Sequence, residues 1–126
     1  MTTISKEAGL TINELFAGVP VAELHAGLAW YERLFGGPPD LVPSESERLW
    51  RLTDGGWVYV VADAERAGRG LLTLIVEDLD AHLAELADRG IEGGEVEAIS
   101  ETTRKAVIVD PDGNRITLGE NVSSGG

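Results

Sequence analysis

The chain repeats itself. Residues 16–28 read Phe-Ala-Gly-Val-Pro-Val-Ala-Glu-Leu-His-Ala-Gly-Leu, and residues 71–83 read Leu-Leu-Thr-Leu-Ile-Val-Glu-Asp-Leu-Asp-Ala-His-Leu. At an offset of 55, Val21 falls on Val76, Leu24 on Leu79, Ala26 on Ala81 and Leu28 on Leu83. The ends of the halves match at an offset of 58, where Asp54-Gly55-Gly56-Trp57-Val58-Tyr59-Val60 lies over Asp112-Gly113-Asn114-Arg115-Ile116-Thr117-Leu118. A tandem unit of strand, helix and strands leaves few folds open, because two such half-size units must share a core.

Local patterns place the elements. Ile12–Val21 alternates and is rich in strand formers, with Pro20 near its end. Leu24, Leu28, Tyr31 and Phe35 recur at helical spacing, and Gly36-Gly37-Pro38-Pro39 stops that helix. Leu41–Ser44 reads as a short strand, and Arg48–Thr53 with Trp57–Val61 as a hairpin around Asp54-Gly55-Gly56. In the second half, Leu71–Val76 is a strand, and Asp78 caps a helix carrying Leu79, Leu83 and Leu86 that Gly90 ends. Val96–Ile99, Lys105–Val109 and Arg115–Gly119 complete the set, the last two joined by the turn Asp110-Pro-Asp-Gly-Asn114. The order is β-α-β-β-β twice, an α+β fold of two modules, about residues 12–63 and 70–120, within one domain spanning 11–121. Residues 1–10 and 122–126 read as frayed tails.

Side-chain alternation divides each sheet into two faces. One collects Leu15, Ala17, Val19, Val58, Val60, Leu72, Leu74, Val76, Ile116 and Leu118, all aliphatic and suited to packing under a helix. The other collects Glu14, Phe16, Gly18, Trp57, Tyr59, Val61, Leu71, Thr73, Ile75, Arg115, Thr117 and Gly119. With a two-residue hairpin turn, Trp50 and Leu52 join this second face. Its aromatics, hydroxyls and arginine suit a ligand cleft, and Arg115 and Thr117 are awkward in a dry core. A second core layer or a dimer interface is the alternative reading of the same face.

Composition removes whole classes of function. With 22 acidic against 10 basic residues the net charge is -12, which repels phosphate backbones and anionic lipid, so neither nucleic acid nor membrane is an expected partner. The absence of cysteine excludes disulfides, thiolate metal sites and a Cys nucleophile. No segment has the length of a membrane span and the first residues lack the apolar run of a signal peptide, so a cytoplasmic protein is expected.

Four stretches in this order resemble the vicinal oxygen chelate superfamily, which includes glyoxalase I, extradiol dioxygenases and bleomycin-resistance proteins. They are Val19-Pro-Val-Ala-Glu-Leu24, Ala29-Trp-Tyr-Glu-Arg-Leu-Phe-Gly36, Val76-Glu-Asp-Leu-Asp-Ala81 and Asp110-Pro-Asp-Gly-Asn-Arg-Ile116. The resemblance covers roughly residues 12–120. It implies curved mixed sheets around a cleft, usually in a homodimer, and in the enzymes of the family one divalent metal held by His, Gln or Glu from inward strand positions. Those positions map onto Phe16, Tyr59, Leu71 and Thr117. None supplies the nitrogen or carboxylate donors that a divalent ion takes, so no metal and no cofactor are expected.

Outside those positions, His25 and His82 fall on the helices and read as solvent-exposed or interfacial. Glu14 and Glu120 fall near strand ends and read as rim charges or ion-pair partners. The expected function is therefore a metal-free binding protein that holds an aromatic or hydrophobic small molecule against Phe16, Trp50, Trp57, Tyr59, Leu71, Thr73, Arg115 and Thr117, as in antibiotic or metabolite sequestration. The alternative is a lyase, isomerase or dioxygenase-type enzyme with a displaced metal site, or with acid/base chemistry drawn from Glu14, Glu120 and Tyr59. A third is a subunit whose aromatic face serves dimerisation alone.

Overall fold

A computed structural model describes residues 10–121. Its elements follow the order β1 (Leu15–Val21), α1 (Leu24–Phe35), β2 (Leu41–Ser44), β3 (Glu47–Thr53), β4 (Gly56–Ala62), β5 (Leu71–Ile75), α2 (Leu79–Asp88), β6 (Glu97–Ala98), β7 (Thr103–Val109) and β8 (Arg115–Asn121). This is βαβββ twice. The expected tails, apart from Leu10, lie outside the described residues. β1 begins at Leu15 rather than Ile12, because its partner β4 begins at Gly56 and the ladder runs from Leu15↔Gly56 to Val21↔Ala62. β6 contracts to two residues, paired only through Glu97↔Lys105 and Ala98↔Arg104. Among the described residues no helix is long and apolar enough to cross a membrane.

Each module forms one four-stranded mixed sheet, ordered β1-β4-β3-β2 and β5-β8-β7-β6. The first strand runs parallel to the last, and the last runs antiparallel to the one before it. The registers of the two modules superpose. Phe16 pairs with Trp57 and Gly18 with Tyr59 in the first; Leu71 pairs with Arg115 and Thr73 with Thr117 in the second. The two sequence offsets of 55 and 58 carry each pair of the first module onto its counterpart in the second.

The aliphatic faces lie under the helices, as alternation predicts. Val19, Val21, Val58 and Val60 are buried with Leu24, Tyr31 and Leu34 of α1, while Ile108, Ile116 and Leu118 are buried with Leu79 and Leu86 of α2. All belong to one continuous core, which neither half is large enough to bury alone. Of the aliphatic set only Leu15 stays exposed.

Polar groups stitch the modules together at the turn after β7. The buried carboxylate of Asp110 accepts from the Tyr31 hydroxyl at 2.7 Å and from Asn114 Nδ2 at 2.8 Å, and its other oxygen accepts from the backbone N–H groups of Asp112 and Asn114. Asn114 Nδ2 also donates to the Pro20 carbonyl at 2.7 Å, and Asn114 Oδ1 accepts from Gly70 N–H at 2.7 Å. The segment expected as a turn is thus also the joint between β1, α1, β5 and β8. Burial first, and the hydrogen bond to Asp110 second, push the Tyr31 phenol far above its ordinary range, so it stays a donor.

The helix termini are secured by charge. Arg89, the residue after α2, sends Nη1 to the carbonyls of Arg33 at 2.9 Å and Leu34 at 3.5 Å, so a cation sits on the C-terminal dipole of α1. Asp78 caps α2 from a left-handed backbone (φ 56), its carboxylate accepting from Ala81 N–H at 3.1 Å. Ala at this position loses the cap and is strained at positive φ, so Asp78→Ala is expected to lower stability by about 1–2 kcal/mol. Asn both caps and tolerates that backbone, so Asp78→Asn should lie within about 0.5 kcal/mol of the parent. Urea unfolding of both variants checks the contrast.

Candidate ligand-binding face

The faces turned away from the helices carry the residues expected to bind a ligand. On the first sheet, Phe16 and Trp57 are ladder partners whose rings stack with centroids 5.5 Å apart and planes 18° from parallel. Phe16 is 45% exposed, a large solvent share for a phenylalanine in mid-strand. The Trp57 indole donates to Glu14 Oε1 at 2.5 Å, which fixes the ring and sets a carboxylate at its edge. Two residues along, the Tyr59 ring lies over Gly18, where a Cβ would fall 2.5 Å from Tyr59 Cζ. Glycine at 18 is what lets that ring lie flat on the strand. The result is an aromatic surface held by one hydrogen bond and one backbone gap.

The second sheet supplies a less aromatic counterpart. Leu71 is 81% and Ile75 62% exposed. Between them Thr73 faces Thr117, and Leu71 faces Arg115. Val107 and Val109 border Thr117 and Arg115 from β7. Apolar area with a few hydroxyls and a cation is the composition of a small-molecule surface.

Trp50 does not belong to this face. The ladder between β3 and β4 shifts register between Arg51 and Thr53, so that Arg51 pairs with Trp57 and Trp50 with Val58. One extra residue in a strand inverts every side chain beyond it. Trp50 is therefore 3% exposed on the helix side, with its ring 5.2 Å from Phe35 and Nε1 donating to the Gly37 carbonyl at 3.0 Å. Arg51 takes the place on the open face that alternation assigned to its neighbours. Nothing in the Asp54-Gly55-Gly56 turn signals the shift.

Glu120 is likewise turned to the helix side. It is buried, with Oε1 accepting from Leu79 N–H at 2.5 Å and Oε2 paired with Arg104 at 3.0 Å. That pairing, followed by the one with Asp80, raises the Arg104 guanidinium above its ordinary range. Glu120 thus holds the start of α2 and shares no face with Glu14 or Tyr59, so the acid/base set drawn from these three is not assembled. His25 and His82 are exposed on the two helices.

Phe16, Tyr59, Leu71 and Thr117, the positions onto which the resemblance maps metal ligands, share the open faces, but their side chains do not fit a divalent ion. Phe16 and Leu71 have no donor atom, and Tyr59 and Thr117 offer only hydroxyls. Among the described residues no three His, Asp or Glu side chains come together in a way that would hold an ion. Incubation with Ni²⁺, Zn²⁺, Mn²⁺ and Fe²⁺ followed by desalting should leave less than about a tenth of an equivalent of metal by elemental analysis. Close to one ion per chain would place a ligand set that this geometry lacks.

With the geometry in view, the chain is 44% identical to a glyoxalase/bleomycin resistance protein from Catenulispora acidiphila DSM 44928, over 87% of this chain and 98% of that one, at a TM-score of 0.81. The chain belongs to the glyoxalase/bleomycin-resistance family. It is also similar to TnmS3, an antibiotic binding protein from Streptomyces sp. CB03234, at 25% identity and a TM-score of 0.68 over 90% of this chain and 98% of that one. A bleomycin-binding protein, solved in complex with bleomycin, shares the fold at 21% identity and a TM-score of 0.69, over 86% of this chain and 98% of the other. No protein-family model and no curated protein sequence matches the chain. As a member of the glyoxalase/bleomycin-resistance family, it has the tandem architecture of two four-stranded mixed sheets, each with one helix.

Proposed function

We propose that the chain is a small-molecule binding protein that holds a flat aromatic ligand on the Phe16–Trp57 surface without a metal. The observation that carries this reading is the nearly parallel Phe16–Trp57 stack, with Phe16 exposed, Trp57 half-buried and Glu14 at its edge. A preformed aromatic surface supplies large contact area, and each further aromatic pair adds about 0.5–1.5 kcal/mol beyond burial. Tyr59 extends that area, while Arg115, Thr73 and Thr117 would orient polar groups of the ligand, with Leu71 as an apolar wall. The antibiotic-binding activity in the name of TnmS3 supports the same class of function. The exposed Leu71 and Ile75 support a homodimer in which a second copy closes the site.

Tryptophan fluorescence tests this directly, because Trp30 and Trp50 are 7% and 3% exposed and Trp57 alone stands on the open face. Titration with a panel of planar aromatic compounds should give saturable quenching for the subset that binds. In Trp57→Phe the same compounds should leave the emission nearly unchanged. Equal quenching in the variant would move the ligand away from this surface.

A further inference from the structure

A cavity of about 470 Å³ lies apart from the aromatic stack, where the C-terminal end of α1, the tip of the β3–β4 hairpin, β5 and α2 converge. That volume is in the range of small-molecule sites. Its walls are the apolar side chains of Leu34, Phe35, Leu74, Val76, Leu86 and Leu118. At its rim stand Leu52, Thr53, Thr73 and Ile75. Its ionisable groups come from α2 and its C-terminal cap, where His82, Glu85 and Arg89 are spaced three and four residues apart.

The electrostatics favour one sign of ligand. Arg89 is the lining cation, and its guanidinium is engaged by the Arg33 and Leu34 carbonyls at the end of α1. Those carbonyls belong to the negative end of a helix dipole. Glu85 makes only a loose 3.8 Å approach to Arg89, and its side chain is 57% exposed. The whole chain carries -12. An anion entering here meets an arginine whose Nη1 is already held by the Arg33 and Leu34 carbonyls, a helix C-terminus and the Glu85 carboxylate 3.8 Å from Arg89 Nη2. A cation finds a counter-ion in Glu85, which Arg89 approaches no closer than 3.8 Å.

We propose that this cavity is a second small-molecule site, separate from the aromatic stack, for a compact apolar molecule bearing a protonated amine that pairs with Glu85. The apolar walls take the hydrocarbon body, and the amine points outward to α2. The inference does not depend on the function proposed for the open face, whose named ligand-orienting residues share only Thr73 with the cavity.

Three adamantane derivatives with the same body test it: 1-adamantylamine, 1-adamantanol and 1-adamantanecarboxylate. The chain has two histidines, so their ring resonances are site-specific reporters. In NMR titrations of the full chain the amine should shift the His82 ring signals saturably, leaving those of His25 and the Trp57 indole N–H in place. The alcohol should bind more weakly and the carboxylate should not bind. Glu85→Gln should weaken the amine about tenfold, the effect of losing one charge-assisted hydrogen bond. Glu85 is exposed, so this variant keeps its fold, which the amide spectrum verifies. A static His82, carboxylate affinity equal to that of the amine, or unchanged affinity in Glu85→Gln each overturns the proposal. Movement of the Trp57 indole signal instead of His82 assigns the amine to the open face and overturns it too.

Discussion

Asp110→Ala should lower the unfolding free energy by about 3–5 kcal/mol, the loss typical when one partner of a buried, charge-assisted network is removed. The carboxylate accepts four hydrogen bonds, from the Tyr31 hydroxyl, Asn114 Nδ2 and two backbone N–H groups. Truncation strands donors that water does not reach, since Tyr31 is fully buried and Asn114 is 1% exposed. The damage also spreads across the joint, because Asn114 holds the Pro20 carbonyl and the Gly70 N–H. Tyr31→Phe removes a single donor and should cost only about 1–2 kcal/mol. Urea unfolding at fixed protein concentration separates the two, which keeps any contribution from assembly constant. A loss below about 1 kcal/mol for Asp110→Ala would mean that the modules are held by apolar packing alone.

Why this joint was hidden in the sequence is a matter of distance along the chain. Asp-Pro-Asp-Gly-Asn is visibly a turn, because turn chemistry is local. Its partners Tyr31 and Pro20 lie 79 and 94 residues away, and no local pattern points to them. The helices and the aliphatic faces were legible for the opposite reason. Leu24, Leu28 and Tyr31 follow the helical repeat, and Val58 and Val60 follow the strand repeat, whatever else the chain does.

The open face was legible through the same alternation wherever register is regular. Phe16, Trp57, Tyr59, Leu71, Thr73, Arg115 and Thr117 all have the parity expected of them. Alternation places Trp50 on this face, but a bulge in β3 inverts the strand at a point where composition is ordinary. Glu120 could be placed near a strand end, but its work in fixing the first N–H of α2 depends on a helix 41 residues away. The cavity at the module junction was invisible altogether. Five separate elements build it, and the short stretch that each contributes reads as ordinary helix or strand.

Trp57→Ala tests the aromatic surface most directly. The indole provides one ring of the stack and the hydrogen bond to Glu14. Removing it deletes half of the platform and frees the carboxylate beside it. Truncation of an aromatic anchor of this kind costs about 2 kcal/mol or more, roughly thirtyfold in affinity. The ring is only partly buried, so the fold should survive. The measurement is isothermal titration calorimetry of the parent and Trp57→Ala with the aromatic compound that most strongly quenches the parent. A thirtyfold loss with an unchanged unfolding midpoint is the predicted result. Equal affinities would contradict the account, since the ligand would then be held somewhere other than the Phe16–Trp57 stack.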